Sequence, residues 1–93
     1  MISEEKAQQI ASLAQEAAEK YNGTKTCNDA NREIRKYADK IYKLSDWHVQ
    51  LEFYLSDSNF ESGQYKITLR CDNKEDKEVI QKYWEQIKWS VRH

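Results

Sequence analysis

The chain has no proline and only two glycines, Gly23 and Gly63. With so few glycines, it cannot contain a glycine-rich loop of the kind that cradles phosphates. It has two cysteines and two histidines, and their wide spacing does not suit a four-ligand zinc site. His48 has no partner side chains that the sequence places in a triad-like arrangement. We therefore predict that the protein is not an enzyme and uses no metal or cofactor.

Long apolar runs are also missing, since no stretch approaches the roughly 20 residues needed to span a bilayer. Residues 1–5 lack the basic and apolar regions of a signal peptide. We therefore expect a cytoplasmic protein without membrane contact, in which Cys27 and Cys71 are free, buried thiols. A Cys27–Cys71 disulfide is the alternative if the protein is exported.

Charge is abundant but nearly balanced: 33% of residues are charged, 12% are aromatic and the net charge is −1. Disordered chains usually combine high net charge with few aromatics, so this composition favours a folded domain. The two signs are unevenly distributed: residues 45–65 contain Asp46, Glu52, Asp57 and Glu61 but no lysine or arginine, so the negative charge of this segment is not balanced within it. A slightly acidic balance argues against a dedicated nucleic-acid binder.

Apolar residues at helical spacing predict a first helix over residues 3–21 and a second over residues 26–44. Ser3 is expected to cap the first helix and Gly23 to stop it. Thr26 and Asp29 resemble a capping box at the start of the second helix. The short connection between the two helices predicts an antiparallel helical hairpin.

Residues 47–55 and 65–71 alternate between apolar and polar side chains, which predicts an antiparallel β-hairpin. Trp47 falls on the apolar face of this pattern, which we expect to lie on the helices. On the polar face, Glu52 is expected near Lys66 or Arg70.

Helical spacing returns near Asp72 and continues to about Val91, with Asp72 and Glu75 as a capping signal. Its predicted buried face consists of Val79, Ile80, Tyr83, Trp84, Ile87 and Val91. The expected fold class is α+β in the order α-α-β-β-α, as one domain over residues 1–93. A single layer of helices lies on a small sheet, which dimerisation would extend.

Several residues are candidates for binding a partner. Tyr54, Asp57, Phe60 and Glu61 would form an aromatic and acidic patch suited to a basic partner surface. Trp89 lies opposite Ile80 on a continued helix, where its indole would face water. The alternatives are that Phe60 packs under its own loop and that Trp89 folds back onto the core.

The two edges of the hairpin are further candidates, because neither strand contains a proline to block pairing with another strand. Either a homodimer or strand addition by a partner would use such an edge. The alternative is that helices or loops cover both edges.

The second helix carries a basic stripe formed by Arg32, Lys36, Lys40 and Lys43. Lysine and arginine can neutralise phosphates, so this stripe is the candidate nucleic-acid-binding face. Asp39 interrupts the stripe and no aromatic residues are interleaved with it. A solvated helix face is therefore the simpler interpretation.

Together these features favour a small, non-enzymatic protein-binding module that inhibits a basic, nucleic-acid-binding partner stoichiometrically. Small inhibitors encoded by phages and other mobile elements often have this size and charge balance. One alternative is a nucleic-acid-associated protein that uses the basic stripe. The other is a small-ligand-binding domain with a pocket around Trp47, Tyr83 and Trp84.

Overall fold

A computed structural model of the chain describes residues 2–55, 63–85, 87 and 89. Its elements follow the predicted order α-α-β-β-α, which confirms the α+β fold class. Their bounds are α1 Glu4–Tyr21, α2 Asn28–Leu44, β1 Val49–Leu55, β2 Tyr65–Cys71 and α3 Lys74–Gln81. No helix in the described ranges has the length and apolar character required to cross a membrane.

The ends of α1 agree with the sequence prediction. The Ser3 side chain accepts the Lys6 N–H at 3.2 Å, and two glutamates occupy the positive end of the helix dipole. Gly23 has φ of 80°, a left-handed conformation that glycine adopts without steric cost. Its N–H donates to the carbonyl of Tyr65 at 2.8 Å, so the end of α1 is joined to β2.

The start of α2 differs from the prediction. Cys27, rather than Thr26, is the cap residue, and its sulfur accepts the Ala30 N–H at 3.4 Å. Thr26 is instead drawn toward the start of β2, where its N–H donates to the carbonyl of Gly63 at 3.2 Å. Because Cys27 lies at a helix end, its free thiol is exposed and not buried as predicted.

Tyr65 joins β2 to α2 from inside the core. Its side chain is fully buried and its hydroxyl accepts the Cys27 N–H at 3.1 Å. The hydroxyl proton faces both the carbonyl of Cys27, at 2.9 Å, and the side-chain oxygen of Asn31. This buried hydroxyl therefore has hydrogen-bond partners both as a donor and as an acceptor, as burial requires.

The two strands pair antiparallel, with Val49 opposite Cys71 and Leu55 opposite Tyr65. The predicted cross-strand ion pair on the outer face is present, with 3.5 Å between Glu52 Oε1 and Arg70 Nε. The inner face joins the three helices in a common core. The largest fully buried side chains in it are Ile10, Ile34, Ile41, Val49, Tyr65, Leu69 and Ile80.

The third helix is shorter than predicted. Asn73, not Asp72, caps it by accepting the N–H groups of Glu75 and Asp76, and the helix ends at Gln81. Ile87 is buried as expected, but Tyr83 is 38% exposed because its hydroxyl reaches out to hydrogen-bond the Glu4 carboxylate. This bond and the Lys82 ammonium lower the pKa of Glu4.

Candidate functional site

Most of the predicted aromatic and acidic patch cannot be placed. Asp57, Phe60 and Glu61 lie outside the described residues. The backbone of Tyr54 pairs with that of Lys66 in the sheet, while its side chain is also outside what is described. The patch therefore stays a prediction.

Trp89 occupies the position that the alternative interpretation gave it. Because α3 ends at Gln81, the chain turns back, and the half-buried indole packs against the core. Its backbone forms a β-bridge with Leu69, and the Lys77 ammonium lies 5.2 Å from the ring centroid. The expectation of a solvent-exposed indole is thus wrong, and Trp89 contributes to packing on β2.

The basic stripe of α2 is exposed, but its charge is partly neutralised by its own helix. Arg32 forms an ion pair with Asp29, and the Lys36 ammonium lies 3.2 Å from the Glu33 carboxylate. Lys40 and Lys43 are exposed on the same helix. Such i,i+3 pairs reduce the positive potential that a phosphate backbone would encounter.

The hydrogen-bond alternation of the hairpin determines which backbone groups face its edges. The Asp72 N–H donates to the His48 carbonyl at 3.1 Å, which fixes the phase of the ladder. In an antiparallel pair, successive residues of one strand face alternately toward and away from the other strand. Gln50 and Glu52 therefore point their N–H and C=O groups at β2, whereas Leu51 and Phe53 point theirs away.

The outer edge of β2 is covered. Tyr65 exchanges hydrogen bonds with the α1–α2 connection, through the Gly23 N–H and the Thr24 carbonyl. The Ile67 N–H donates to the side-chain oxygen of Asn22 at 3.1 Å, and Leu69 forms its bridge with Trp89. For this strand, the alternative of covered edges is correct.

Among the described residues, the side chain of Ser45 closes the outer edge of β1 at its first residue, Val49. The Ser45 hydroxyl accepts the Val49 N–H at 2.9 Å and lies 3.2 Å from the Val49 carbonyl, so it substitutes for a neighbouring strand. Beyond this point, the outward N–H and C=O groups of Leu51 and Phe53 have no hydrogen-bond partner among the described residues. Leu51 is only 5% exposed, whereas Phe53 is half-buried, so of these two residues Phe53 is the accessible template for another strand.

Trp47 departs most from the sequence prediction. The strand begins at Val49, and Trp47 lies before it with φ of 74° and 61% of its surface exposed. The cause is a Schellman motif at the end of α2, in which the Asp46 N–H donates to the Lys43 carbonyl and the Trp47 N–H to the Tyr42 carbonyl. This motif turns the chain outward, so the indole does not reach the inner face of the sheet.

The exposed indole is adjacent to the open edge. The Trp47 ring meets the Tyr42 ring edge-on, with 4.7 Å between centroids. Tyr42 in turn lines a groove of about 190 Å³ between α2 and β1, together with Ala38, Asp39, Gln50 and Leu51. We call Trp47, Tyr42, Asp39 and the outward backbone of Leu51 and Phe53 the β1-edge surface.

Groups that serve in catalysis are not assembled in the described residues. His48 Nδ1 lies 4.0 Å from an oxygen of Asp72, and both side chains are exposed. Burial raises the pKa of the Cys71 thiol, which disfavours the thiolate form that acts as a nucleophile. Residues 2–55, 63–85, 87 and 89 contain no cluster of three or more His, Cys, Asp or Glu side chains that could hold a metal ion.

A polar cleft of about 340 Å³ lies between the starts of α1 and α3, lined among others by Ser3, His48 and Asp76. The buried Asp76 carboxylate accepts the Ile2 N–H at 2.7 Å, so the cleft holds the N-terminal segment in place. The small-ligand alternative predicts a pocket around Trp47, Tyr83 and Trp84. Trp47 and Tyr83 are instead on the surface.

The β1-edge surface combines an exposed indole, a groove and backbone N–H and C=O groups that have no hydrogen-bond partner in the part of the chain that the structure describes. Aromatic anchors and open strand edges are both recurring features of protein-binding sites. Comparison of the chain with protein-family models, with curated proteins and with solved structures finds no match.

Proposed function

We propose that the protein is a small, non-enzymatic protein-binding module that engages its partner through the β1-edge surface. The observation that carries this proposal is Trp47, which is 61% exposed in a left-handed backbone conformation. A bulky residue in this conformation is strained by about 1–3 kcal/mol. Leaving apolar surface exposed also loses the stabilisation of roughly 25 cal/mol that burial would contribute for each Å². Tryptophan in such a position is a typical binding hot spot.

Charge indicates the character of the partner. Asp46 immediately precedes the indole and belongs to the segment of residues 45–65, which contains no lysine or arginine. A basic partner surface would therefore be attracted to this side of the protein, and the attraction would speed association.

Such a partner would normally use a basic surface to bind nucleic acid, and a bound module would occupy that surface. The biological role we propose is accordingly stoichiometric inhibition in the cytoplasm, of the kind that phages and mobile elements employ. Direct nucleic-acid binding by the basic stripe has less support, because Asp29 and Glu33 pair with two of its four cations.

Affinity capture from a host lysate, followed by reconstitution with the purified partner, tests this proposal. We expect the wild-type chain and Tyr83→Ala to capture the same protein, and Trp47→Gly to lose it. Tyr83 is the matched control because it is also an exposed aromatic residue, located beyond α3. The reconstituted complex should contain one module per partner and should form more slowly as salt is raised. Capture that is equal for all three baits would contradict the proposal.

A further inference from the structure

The connection that follows α1 begins with an asparagine and a glycine, Asn22 and Gly23, a pair that occurs once in the sequence. In such a pair the backbone nitrogen of glycine can attack the side-chain carbon of asparagine, because glycine has no side chain to block the approach. Both residues are exposed, so water and base can reach them. The groups that deamidation requires are therefore present at the end of α1.

The folded structure keeps these two groups from reacting. The Gly23 N–H donates to the Tyr65 carbonyl at 2.8 Å. The Asn22 side-chain oxygen accepts the Ile67 N–H at 3.1 Å. Ring closure requires the Gly23 nitrogen to be nearly eclipsed with the Asn22 Cβ about the Cα–C bond, and ψ of 123° at Asn22 holds them far apart. Before the groups can react, both hydrogen bonds to β2 must break and the main chain must rotate.

We propose that Asn22 is a site of spontaneous deamidation that reacts when the α1–α2 connection detaches from β2. The Gly23 nitrogen gives up its proton and bonds to the Asn22 side-chain carbon. The carbon–nitrogen bond of the side-chain amide breaks, and ammonia leaves with that proton. Water then opens the resulting succinimide at either of its carbonyl groups. Position 22 becomes aspartate or, where the main chain runs through the former side chain, isoaspartate.

The two products differ in their effect on the cover of β2. Aspartate keeps an oxygen that can accept the Ile67 N–H, and its negative charge strengthens that hydrogen bond. Isoaspartate adds one carbon to the main chain between position 22 and Gly23. The Gly23 N–H and the acceptor of the Ile67 N–H then cannot both keep their positions. Isoaspartate therefore exposes strand groups that the unmodified chain keeps paired.

The test compares the full chain with a blocked synthetic peptide that contains residues 19–26. Both are kept in the same mildly alkaline buffer, and mass spectrometry of digests measures amide loss at position 22 and separates the two products. We expect the folded chain to react at least roughly tenfold more slowly than the peptide, because two hydrogen bonds must first break. In concentrated urea, which removes the fold, the chain and the peptide should react at the same rate.

Two alanine variants test whether opening of the connection limits the reaction. Thr24→Ala removes the hydroxyl that donates to the Tyr21 carbonyl at 2.7 Å within the connection. Relative to a peptide with the same change, it should raise the rate in the folded chain by roughly two- to tenfold. Ser12→Ala removes a hydroxyl from the exposed face of α1 and should leave the rate within about twofold of wild type.

Three results would overturn the inference. Equal rates in the folded chain and the peptide would show that the contacts with β2 do not hold the reaction back. Equal rates in the Thr24→Ala and Ser12→Ala chains would show that opening of the connection does not limit it. Deamidation of the unfolded chain that starts at another asparagine would show that Asn22 is not the reactive site.

Discussion

Replacing Trp47 by glycine is expected to weaken partner binding by about 2–4 kcal/mol, or roughly 30- to 1,000-fold in Kd. The indole is the largest exposed apolar group in the described part of the chain, and it is adjacent to the groove and the open edge. When a partner covers it, its remaining surface leaves water and the groove is sealed against solvent. Isothermal titration of the reconstituted complex measures the loss.

Stability should respond very differently to the same change. Glycine accepts φ of 74° without strain, whereas the lost contact between Trp47 and Tyr42 costs about 0.5–1.5 kcal/mol. These effects oppose each other, so the free energy of unfolding should change by less than about 1 kcal/mol. Tyr83→Ala should leave affinity unchanged. A Trp47→Gly variant that unfolds easily, or that binds like the wild type, would contradict this account of the indole.

Ser45→Ala is expected to lower the free energy of unfolding by about 1–3 kcal/mol, because it leaves buried polar groups unsatisfied. Ser45 is 5% exposed and Val49 is fully buried, so water cannot readily replace the hydroxyl. The variant removes the acceptor of the Val49 N–H and a hydroxyl that lies within hydrogen-bonding distance of the carbonyls of Tyr42 and Val49. Urea unfolding, monitored by circular dichroism, measures the change.

Ser12→Ala is the matched control, since Ser12 lies on the exposed face of α1. Ser12→Ala should leave the free energy of unfolding unchanged or raise it slightly, because alanine has a higher helix propensity than serine. If both variants had the same free energy of unfolding as the wild type, the Ser45 side chain would not be stabilising the first residue of the β1 edge.

The parts of the fold that could be predicted are those where the spacing of apolar side chains and the capping residues indicate the same helix or strand. Ser3 and Gly23 mark both ends of α1, and the strict alternation of residues 65–71 gives β2 its observed bounds. The register follows because shifting a strand by one residue would move its apolar face to solvent. Glu52 and Arg70 are thereby placed side by side.

The candidate site was missed because its geometry depends on a turn without the usual sequence signal. A Schellman motif normally carries glycine at the left-handed position, and here Asp46 occupies it. Without that glycine, the sequence pattern predicts that Trp47 is the first apolar residue of the strand. Asp46 and Trp47 both adopt positive φ, and this rotates the indole to the surface.

The end of α3 could not be predicted for a different reason. The helical spacing continues past Gln81 in the sequence, but a continued helix would leave Trp89 in water and the edge of β2 uncovered. Tertiary contacts with Leu69 prevail over local propensity. Such contacts join residues distant in sequence, so a local pattern does not reveal them.

Hydrogen exchange of individual amides along β1 tests the central claim most directly. In the free protein, the half-buried Phe53, whose N–H points away from β2, should exchange much faster than Val49, Gln50 and Glu52, whose N–H groups are bonded to Ser45 or face β2. On addition of the reconstituted partner, the fast amide of Phe53 should become slow. Equal protection of all four amides in the free chain would show that the edge is already occupied, and would contradict the account.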